Sequence, residues 1–311
     1  MHRSDDLPFS FGFFPSQVCN RQRGMSTEGS KTLIEVINAT TVYFQQKGID
    51  SPRLTIELML AHALDKKRLQ LYLEFERKLD EPLLAQLREM VQRRGAGEPL
   101  QYILGKTEFH GLEFQVDKRV LIPRPETEQL VEHVISSCKD AGTIRILDIG
   151  AGSGCIAISL AKALPAAHVT ATDRSAQALA LARQNATAHG VSERIQFVES
   201  DLFSAVGGQK FDWIVSNPPY VPVSQANTLA REIRDHEPPE ALFAGDDGLA
   251  IIRRIIAEAI PFLVSGGRMA LEIGAGQSDT VQQLFRDAQY QVAKVVKDLQ
   301  NHERLVIATH G

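Results

Sequence analysis

The sequence predicts an α/β protein in which a doubly wound sheet follows a small helical domain. Strands and helices alternate from residue 144 to the end of the chain, and strands separated by helices of this length form βαβ units. A glycine-rich turn follows the first of these strands, at the edge where doubly wound sheets bind their ligands. Residues 31–94 instead repeat apolar side chains near the 3.6-residue period of a helix.

Four segments are expected along the 311 residues. We expect residues 1–24 to be a disordered leader, because their short apolar stretch is broken by proline and follows two aspartates rather than a basic region. Residues 25–97 form the helical domain. Residues 98–123 form a hairpin linker, since an alternating pattern there surrounds a glycine. Residues 124–311 form the α/β domain, which opens with a helix.

The elements of the α/β domain follow from alternating apolar strands and amphipathic helices. We predict strands over 144–149, 168–173, 194–199, 211–216, 268–273, 291–297 and 304–309, and helices over 155–164, 175–189, 248–263 and 278–288.

Composition and charge exclude several classes of protein. No apolar run approaches the ~18 residues of a membrane span. The chain has 34 Lys and Arg against 38 Asp and Glu, a net charge of −4, whereas a protein that holds long nucleic acid carries a strong basic surface. The three cysteines form no C-x-x-C pair and the nine histidines show no metal-ligand spacing. We therefore expect a reducing, cytoplasmic setting and no metal site.

The turn after the first strand, residues 148–154, reads Asp-Ile-Gly-Ala-Gly-Ser-Gly and is called the glycine turn below. Its glycines let the backbone approach a ligand closely. A dinucleotide-binding turn needs G-x-G-x-x-G, and its third glycine would fall on Cys155, which disfavours a nicotinamide-dependent oxidoreductase. Asp148 would repel a pyrophosphate but not a cationic ligand. A tight turn with a capping aspartate and no ligand is the alternative.

A second acidic residue favours a nucleoside ligand. Asp173 ends the second strand, 23 residues after Gly150, where a carboxylate accepts hydrogen bonds from both ribose hydroxyls. A zwitterionic nucleoside that bears a sulfonium and no phosphate suits this set of residues. The sequence therefore indicates S-adenosylmethionine as the cofactor.

The fourth strand ends in Ser-Asn-Pro-Pro-Tyr, residues 216–220, at the same edge of the sheet. The two prolines remove backbone donors and stiffen the turn. The Asn217 side-chain oxygen and the Pro218 carbonyl could each accept a hydrogen bond from one planar NH₂ group, while Tyr220 packs on its flat face. This pattern indicates adenine, cytosine or a carboxamide such as glutamine as the methyl acceptor, without choosing among them. A proline-rich loop that only ends a strand is the alternative.

Further motifs point to one family. From about residue 31 to its end the chain resembles the HemK/PrmC family, the protein-(glutamine-N5) methyltransferases that act on bacterial class I peptide chain release factors. The motifs that carry the resemblance are 98–105 (EPLQYILG), 108–112 (EFHGL), 121–128 (LIPRPETE), 217–220 (NPPY), 237–242 (EPPEAL), Gly245 and 247–249 (DGL).

The resemblance implies a class I S-adenosylmethionine-dependent methyltransferase with a Rossmann-like sheet and a helical substrate-recognition domain. It implies that the acceptor is the glutamine of a Gly-Gly-Gln loop in the release factor, so that methylation modulates translation termination. We expect a cytoplasmic monomer without sequence-specific nucleic-acid binding. The implied cofactor contacts are Gly150, Ala151, Gly152, Ser153, Gly154, Asp173, Leu202 and Asn217. The implied substrate contacts are Asn217, Pro218, Pro219 and Tyr220, of which Asn217, Pro218 and Tyr220 are expected to be catalytic.

Two other functions fit part of the pattern. An adenine-N6 methyltransferase on DNA or RNA shares both turns, but it requires base flipping and a basic surface, and residues 1–97 carry 14 Lys and Arg against 12 Asp and Glu, a net +2. A catalytically inactive nucleotide-sensing or scaffold protein would keep only the fold, and the presence of Asp148, Asp173 and Asn217 disfavours it.

One tripeptide in this chain, Gly-Gly-Gln at residues 207–209, matches the acceptor sequence. We interpret it as a surface turn between strands. We expect no self-methylation there.

Overall fold

A computed structural model describes residues 31–139 and 142–311. The predicted leader, residues 1–24, lies outside these ranges. The chain divides into two compact units, with the division between Ala96 and Gly97. Residues 98–123, the predicted hairpin linker, therefore fall in the second unit. None of the helices in the described ranges is both long and apolar enough to cross a membrane.

The described part of the first unit, residues 31–96, is helical, as predicted. Its helices are α1 (Leu33–Gln46), α2 (Pro52–Ala63), α3 (Arg68–Leu71) and α4 (Glu81–Gly95). A capping box starts α1, because the N–H of Thr32 donates to Oε2 of Glu35 at 2.8 Å and the N–H of Glu35 donates to Oγ1 of Thr32. Of the apolar residues that drew the helical prediction, Leu33, Ile37 and Leu60 are buried, whereas Val42 and Leu54 are exposed.

The second unit alternates strands and helices. Its elements are, in chain order, α5 (Leu100–Leu104), β1 (Lys106–Phe109), β2 (Leu112–Gln115), α6 (Glu128–Cys138), β3 (Ile144–Ile149), α7 (Cys155–Ala163), β4 (Ala167–Asp173), α8 (Ala176–Ala188), β5 (Ile195–Glu199), β6 (Phe211–Ser216), α9 (Arg231–His236), α10 (Ala250–Glu258), β7 (Leu263–Glu272), α11 (Ser278–Asp287), β8 (Tyr290–Lys297) and β9 (Glu303–His310).

The seven-stranded sheet confirms the doubly wound prediction. Its order is β5-β4-β3-β6-β7-β9-β8, with β9 antiparallel to both of its neighbours and the other strand pairs parallel. The strand order reverses between β3 and β6, and a crevice forms beyond the carboxyl ends of strands at such a point. The register pairs Ile149 with Ser216, so the glycine turn and the Asn-Pro-Pro-Tyr turn leave the sheet side by side.

Both faces of the sheet are covered. On one face α6, α7 and α8 pack with the β1–β2 hairpin, whose Phe109 and Phe114 lie in the same apolar cluster as Ile146. On the other face α10 and α11 pack against Leu147 and Ile149. Successive residues of β3 thus point to opposite helical layers, and adjacent Ile146 and Leu147 are both apolar for this reason.

Candidate active site

A cavity of about 430 Å³ opens at the carboxyl edge of the sheet, where the strand order reverses. Most of the site residues predicted from the sequence line it. These are Gly150, Ala151, Gly152, Ser153, Asp173, Leu202, Asn217, Pro218 and Pro219. Two predicted site residues, Gly154 and Tyr220, are not part of the lining.

Hydrogen bonds hold the glycine turn at this edge. Its N–H groups at positions 150 and 151 donate to the Thr172 carbonyl at 2.8 and 2.9 Å. The N–H of Gly152 donates to Oδ2 of Asp173 at 2.9 Å, and Oδ1 of the same carboxylate accepts from the N–H of Ser175 at 2.8 Å. One carboxylate therefore joins the turn after β3 to the turn after β4.

Burial raises the pKa of Asp173 above its usual range, and the N–H groups of Ser175 and Gly152 and the charge of Arg174 oppose that rise. The side chain is nevertheless partly open to the cavity. Its oxygens can therefore accept further hydrogen bonds from a polyol inside the cavity.

Gly154 serves the packing of the fold instead. Its φ is +81°, and a Cβ at this position would lie 3.0 Å from Cδ1 of Ile158 and 3.1 Å from Cβ of Ala182. A glycine here lets the start of α7 lie against α8. Its predicted contact with a cofactor stays a prediction.

Asp148, the first residue of the glycine turn, is fully buried. Oδ2 accepts from the N–H of Ala157 at 3.1 Å, whereas Oδ1 has no hydrogen-bond partner among the described residues. Burial raises the pKa of Asp148 to about 7, and the nearby charge of Asp173 adds to the rise. A cation bound above the turn would favour the ionised form of this carboxylate.

Asn185, on α8, connects the glycine turn to the hairpin. Its Nδ2 donates to the Ser153 carbonyl at 2.9 Å and to the Gln115 carbonyl at 3.1 Å, and its Oδ1 accepts from the N–H of Gln115 at 2.9 Å. The side chain is 1% exposed. The β1–β2 hairpin is thus bonded directly to the wall of the cavity.

Asn217 is the first member of a hydrogen-bonded chain that begins in the cavity wall with Asn217 and Thr127 and continues to residues behind the wall. Its Nδ2 donates to Oγ1 of Thr127 at 3.0 Å, and the Thr127 hydroxyl donates to Oε2 of Glu272 at 2.6 Å. The hydroxyl of Tyr220 donates to Oε1 of Glu272 at 3.3 Å. Tyr220 is therefore held from behind the cavity, and its predicted contact with an acceptor stays a prediction.

Glu272 ends β7 and is 3% exposed. Burial raises the pKa of this carboxyl to about 7, although the hydroxyls of Thr127 and Tyr220 and the charge of Arg304 favour its ionised form. Glu126 adds a like charge that favours the protonated form. The Glu272 carboxyl therefore changes its charge near neutral pH, and the Thr127 hydroxyl links it to Asn217.

A second buried carboxylate fixes the mouth of the cavity. Nη2 of Arg124 donates to Oε1 of Glu237 at 2.6 Å, and the N–H of Ile122 donates to Oε2 at 3.2 Å. Glu237 is 3% exposed. It joins the segment that leads into α6 to the segment that follows β6, and both segments contribute residues to the cavity lining.

Leu202 lies in the lining with its side chain buried and its φ at +50°. Ser200 supports this unusual backbone, since its hydroxyl donates to the Leu202 carbonyl at 2.9 Å. Beside it, Arg254 binds both oxygens of Asp201 at 3.1 Å, and these two side chains form a charged rim.

Sequence reasoning did not assign roles to Thr127, Glu237, Glu272 or Asn185. The first two lie within motifs that carry the family resemblance. The sequence held a signal for Glu272, which is an acidic residue at the end of an apolar strand. An acidic residue in such a strand is rarely buried without a partner, so a partner could have been expected. Asn185 gave no signal, since one asparagine on a helix surface is ordinary.

The chain is similar to known proteins over most of its length. Residues 35–105 match the PrmC N-terminal domain and residues 126–242 the Methyltransferase small domain. A release factor glutamine methyltransferase of Chlorobaculum tepidum is 46% identical over 271 residues, which cover 84% of this chain and 92% of that protein. One of Geobacter sulfurreducens is 44% identical over 254 residues, which cover 82% and 88%. The hMettl16 catalytic domain, solved in complex with MAT2A 3′UTR hairpin 6, shares the fold with a TM-score of 0.51 and 17% identity, covering 75% of this chain and 83% of that chain.

Fold, cavity and family matches together define a methyltransferase with the class I sheet. The relatives that are 46% and 44% identical over most of both chains define a narrower family within that class. This chain belongs to the family of release factor glutamine methyltransferases, and the resemblance drawn from its motifs is confirmed.

Proposed function

We propose that this enzyme transfers the methyl group of S-adenosylmethionine to the side-chain amide nitrogen (N5) of the glutamine in the Gly-Gly-Gln loop of class I peptide chain release factors, and so modulates translation termination in the cytoplasm. The relatives named release factor glutamine methyltransferase support this substrate. The observation that carries the proposal is the Asn217 amide at the cavity wall. Its nitrogen is bound to Thr127, which leaves its oxygen for a planar amide.

The residues of the cavity fit the cofactor. At about 430 Å³ the cavity has the size of a small-ligand site. Asp173 offers carboxylate oxygens to a ribose, the glycine turn offers backbone without side chains, and no cluster of acidic or metal-ligating groups in the described ranges suggests a metal there instead. S-adenosylmethionine, when bound, supplies an electrophilic methyl group on a sulfonium.

The chain's own contribution to the reaction is orientation. An amide nitrogen is a weak nucleophile because its lone pair is delocalised into the carbonyl. The Asn217 oxygen and the Pro218 carbonyl accept the two N–H hydrogens of the glutamine amide, so that its nitrogen faces the methyl group. No strong base is needed, since the proton leaves after the nitrogen has been alkylated.

Asp173→Asn is expected to weaken cofactor binding about 10- to 100-fold, because hydrogen bonds to a charged acceptor are worth ~1.5–3 kcal/mol. Affinity should also depend on pH. The ionised carboxylate is the better acceptor and its pKa is raised, so the Kd of the unchanged protein should rise as the pH falls through that pKa. Isothermal titration calorimetry at neutral and at successively lower pH, with the unchanged and the Asp173→Asn protein, measures both effects.

The exposed carboxylate of Asp246 provides the matched control. Asp246→Asn should bind the cofactor as the unchanged protein does. If the Asp173→Asn protein bound the cofactor as tightly as the unchanged protein at every pH, the proposed ribose contact would be contradicted.

The substrate assignment is tested with tritiated S-adenosylmethionine. The purified protein is incubated with a class I release factor, with the same factor carrying Gln→Ala in its Gly-Gly-Gln loop, and with DNA. We expect label in the first reaction alone. Label in DNA would favour the adenine-N6 methyltransferase instead, and label that persists on the altered factor would show a different acceptor residue.

The internal Gly-Gly-Gln at 207–209 should stay unmodified. The turn precedes β6 whereas Asn217 follows it, so the two lie at opposite ends of a strand ~20 Å long. The Gln209 side chain is half-buried, with Oε1 3.5 Å from the Thr170 hydroxyl. Intact-mass measurement after incubation with cofactor alone should show no added methylene. An added methylene that disappears in Gln209→Asn would contradict this.

A further inference from the structure

The amide of Asn217 is nearly symmetric in shape, so packing alone does not decide whether its oxygen or its nitrogen faces the cavity. Its orientation is decided by its hydrogen bonds, that is, by which partner donates and which accepts. For the proposed reaction the difference matters, because an outward oxygen accepts a hydrogen from the acceptor's NH₂ group whereas an outward NH₂ opposes it.

We infer that Thr127 and Glu272 are positioning residues that fix the Asn217 amide with its oxygen toward the acceptor; the inference rests on the proposed function. Neither residue needs to touch the reacting atoms. They act through the direction of two consecutive hydrogen bonds, at 3.0 and 2.6 Å.

The direction follows from counting hydrogens. A threonine hydroxyl has one hydrogen, and an ionised carboxylate has none. The Thr127 hydrogen therefore goes to Glu272, and the oxygen of that hydroxyl can only accept from its other neighbour. Asn217 must then present its NH₂ to Thr127, which turns its oxygen to the opposite side.

The pair is built into the fold rather than placed by chance. Thr127 and Glu272 are 2% and 3% exposed, so neither can satisfy its polar groups with bulk water. They come from the segment before α6 and from the end of β7, while Asn217 follows β6. The second oxygen of Glu272 accepts from the Tyr220 hydroxyl at 3.3 Å, which gives the last residue of the Asn-Pro-Pro-Tyr turn a place in the same chain of bonds.

Protonation of Glu272 would remove this constraint. The protonated carboxyl can donate to the Thr127 oxygen, which frees the hydroxyl hydrogen to point at Asn217 and lets the amide turn over. The charged groups that face Glu272 are Arg304, from β9, and Glu126, next to Thr127. Tyr220 also faces it, and burial raises the pKa of Tyr220, so that this phenol stays a donor.

Thr127→Val keeps the shape of the side chain and removes its hydroxyl. At saturating cofactor we expect kcat for release factor methylation to fall on the order of 10²-fold, the effect of a misplaced reacting group. Thr127→Ser, which keeps the hydroxyl, should restore most of the activity. Cofactor Kd and melting temperature confirm that each variant is folded. A Thr127→Val enzyme with unchanged kcat overturns the inference.

The pH profile separates positioning from a structural role. With cofactor and release factor both saturating, kcat of the unchanged enzyme should fall as the pH drops below about 7, where Glu272 becomes protonated. Glu272→Gln should have a lower plateau and no such decline, whereas Glu126→Gln, which removes a like charge beside Glu272, should keep the decline and move it to lower pH. Saturating cofactor removes the contribution that Asp148, the first residue of the glycine turn, makes to cofactor binding, since its pKa lies in the same range. The same decline in Glu272→Gln overturns the inference.

The two hypotheses fail differently. If the unchanged enzyme labels the release factor and Thr127→Val does so equally well, only the positioning role is wrong. If the unchanged enzyme does not label the release factor, the proposed function is wrong and the positioning role falls with it.

Discussion

Asn217→Ala is expected to lower kcat for release factor methylation on the order of 10²- to 10³-fold, comparable to the loss of one preorganised hydrogen-bonding group in other active sites. The substitution removes the oxygen that holds the acceptor amide, and it leaves the glycine turn and Asp173 in place. Cofactor affinity should therefore change little. Methyl transfer from tritiated cofactor gives kcat, and calorimetry gives the Kd.

Asn227→Ala is the matched control, because Asn227 is exposed in the segment that follows the Asn-Pro-Pro-Tyr turn. Its kcat should equal that of the unchanged enzyme. If Asn217→Ala lost cofactor affinity and kcat to the same extent, Asn217 would be a cofactor contact and its role toward the acceptor would be contradicted.

Gly248→Ala is expected to destabilise the enzyme by about 3 kcal/mol or more, and to reduce activity with it. Its φ is +76°, which costs an L-residue ~1–2 kcal/mol. A Cβ there would also lie 2.2 Å from the Tyr220 carbonyl oxygen and 3.0 Å from Cδ of Pro222. Backbone and proline ring cannot swing aside like a flexible side chain, so overpacking adds ~1–3 kcal/mol. Thermal and urea unfolding measure the loss.

Gly276→Ala tests the cause. Gly276 has a φ of +82°, but no atom lies within 4 Å of the Cβ that would be added. This variant should lose only the ~1–2 kcal/mol of the backbone conformation. Equal losses in the two variants would show that the close approach to Tyr220 contributes nothing.

Local patterns predict the bounds of a strand well where both of its faces are buried, because the whole strand is then marked by apolar residues. β6 has its predicted bounds, and β3 begins and ends as predicted. The predicted helix over 248–263 is too long, since α10 ends at Glu258. Pro261 has no N–H and restricts the residue before it, and the chain continues there as a short 3₁₀ turn. β7 begins five residues before the predicted start because Leu263 pairs with Phe211, a contact that no local pattern contains.

The same limit applies to the site. The turns that end strands are marked in the sequence by glycine, proline and acidic residues, and most of their predicted site residues line the cavity, although Gly154 and Tyr220 do not. The hydrogen bond between Thr127 and Glu272 joins residues 145 positions apart. Its existence depends on which strand lies beside which, so it follows from the topology of the sheet rather than from either residue's neighbours in the chain.

Asn185 has a consequence for how this region of the molecule fluctuates. Because one buried amide bonds the hairpin and the glycine turn at once, opening of either segment removes hydrogen bonds that hold Asn185 in place for the other. The two segments then open as one cooperative unit rather than as separate loops. A ligand that holds the glycine turn closed therefore also stabilises the hairpin against opening. It does so although the hairpin contributes no residue to the cavity lining.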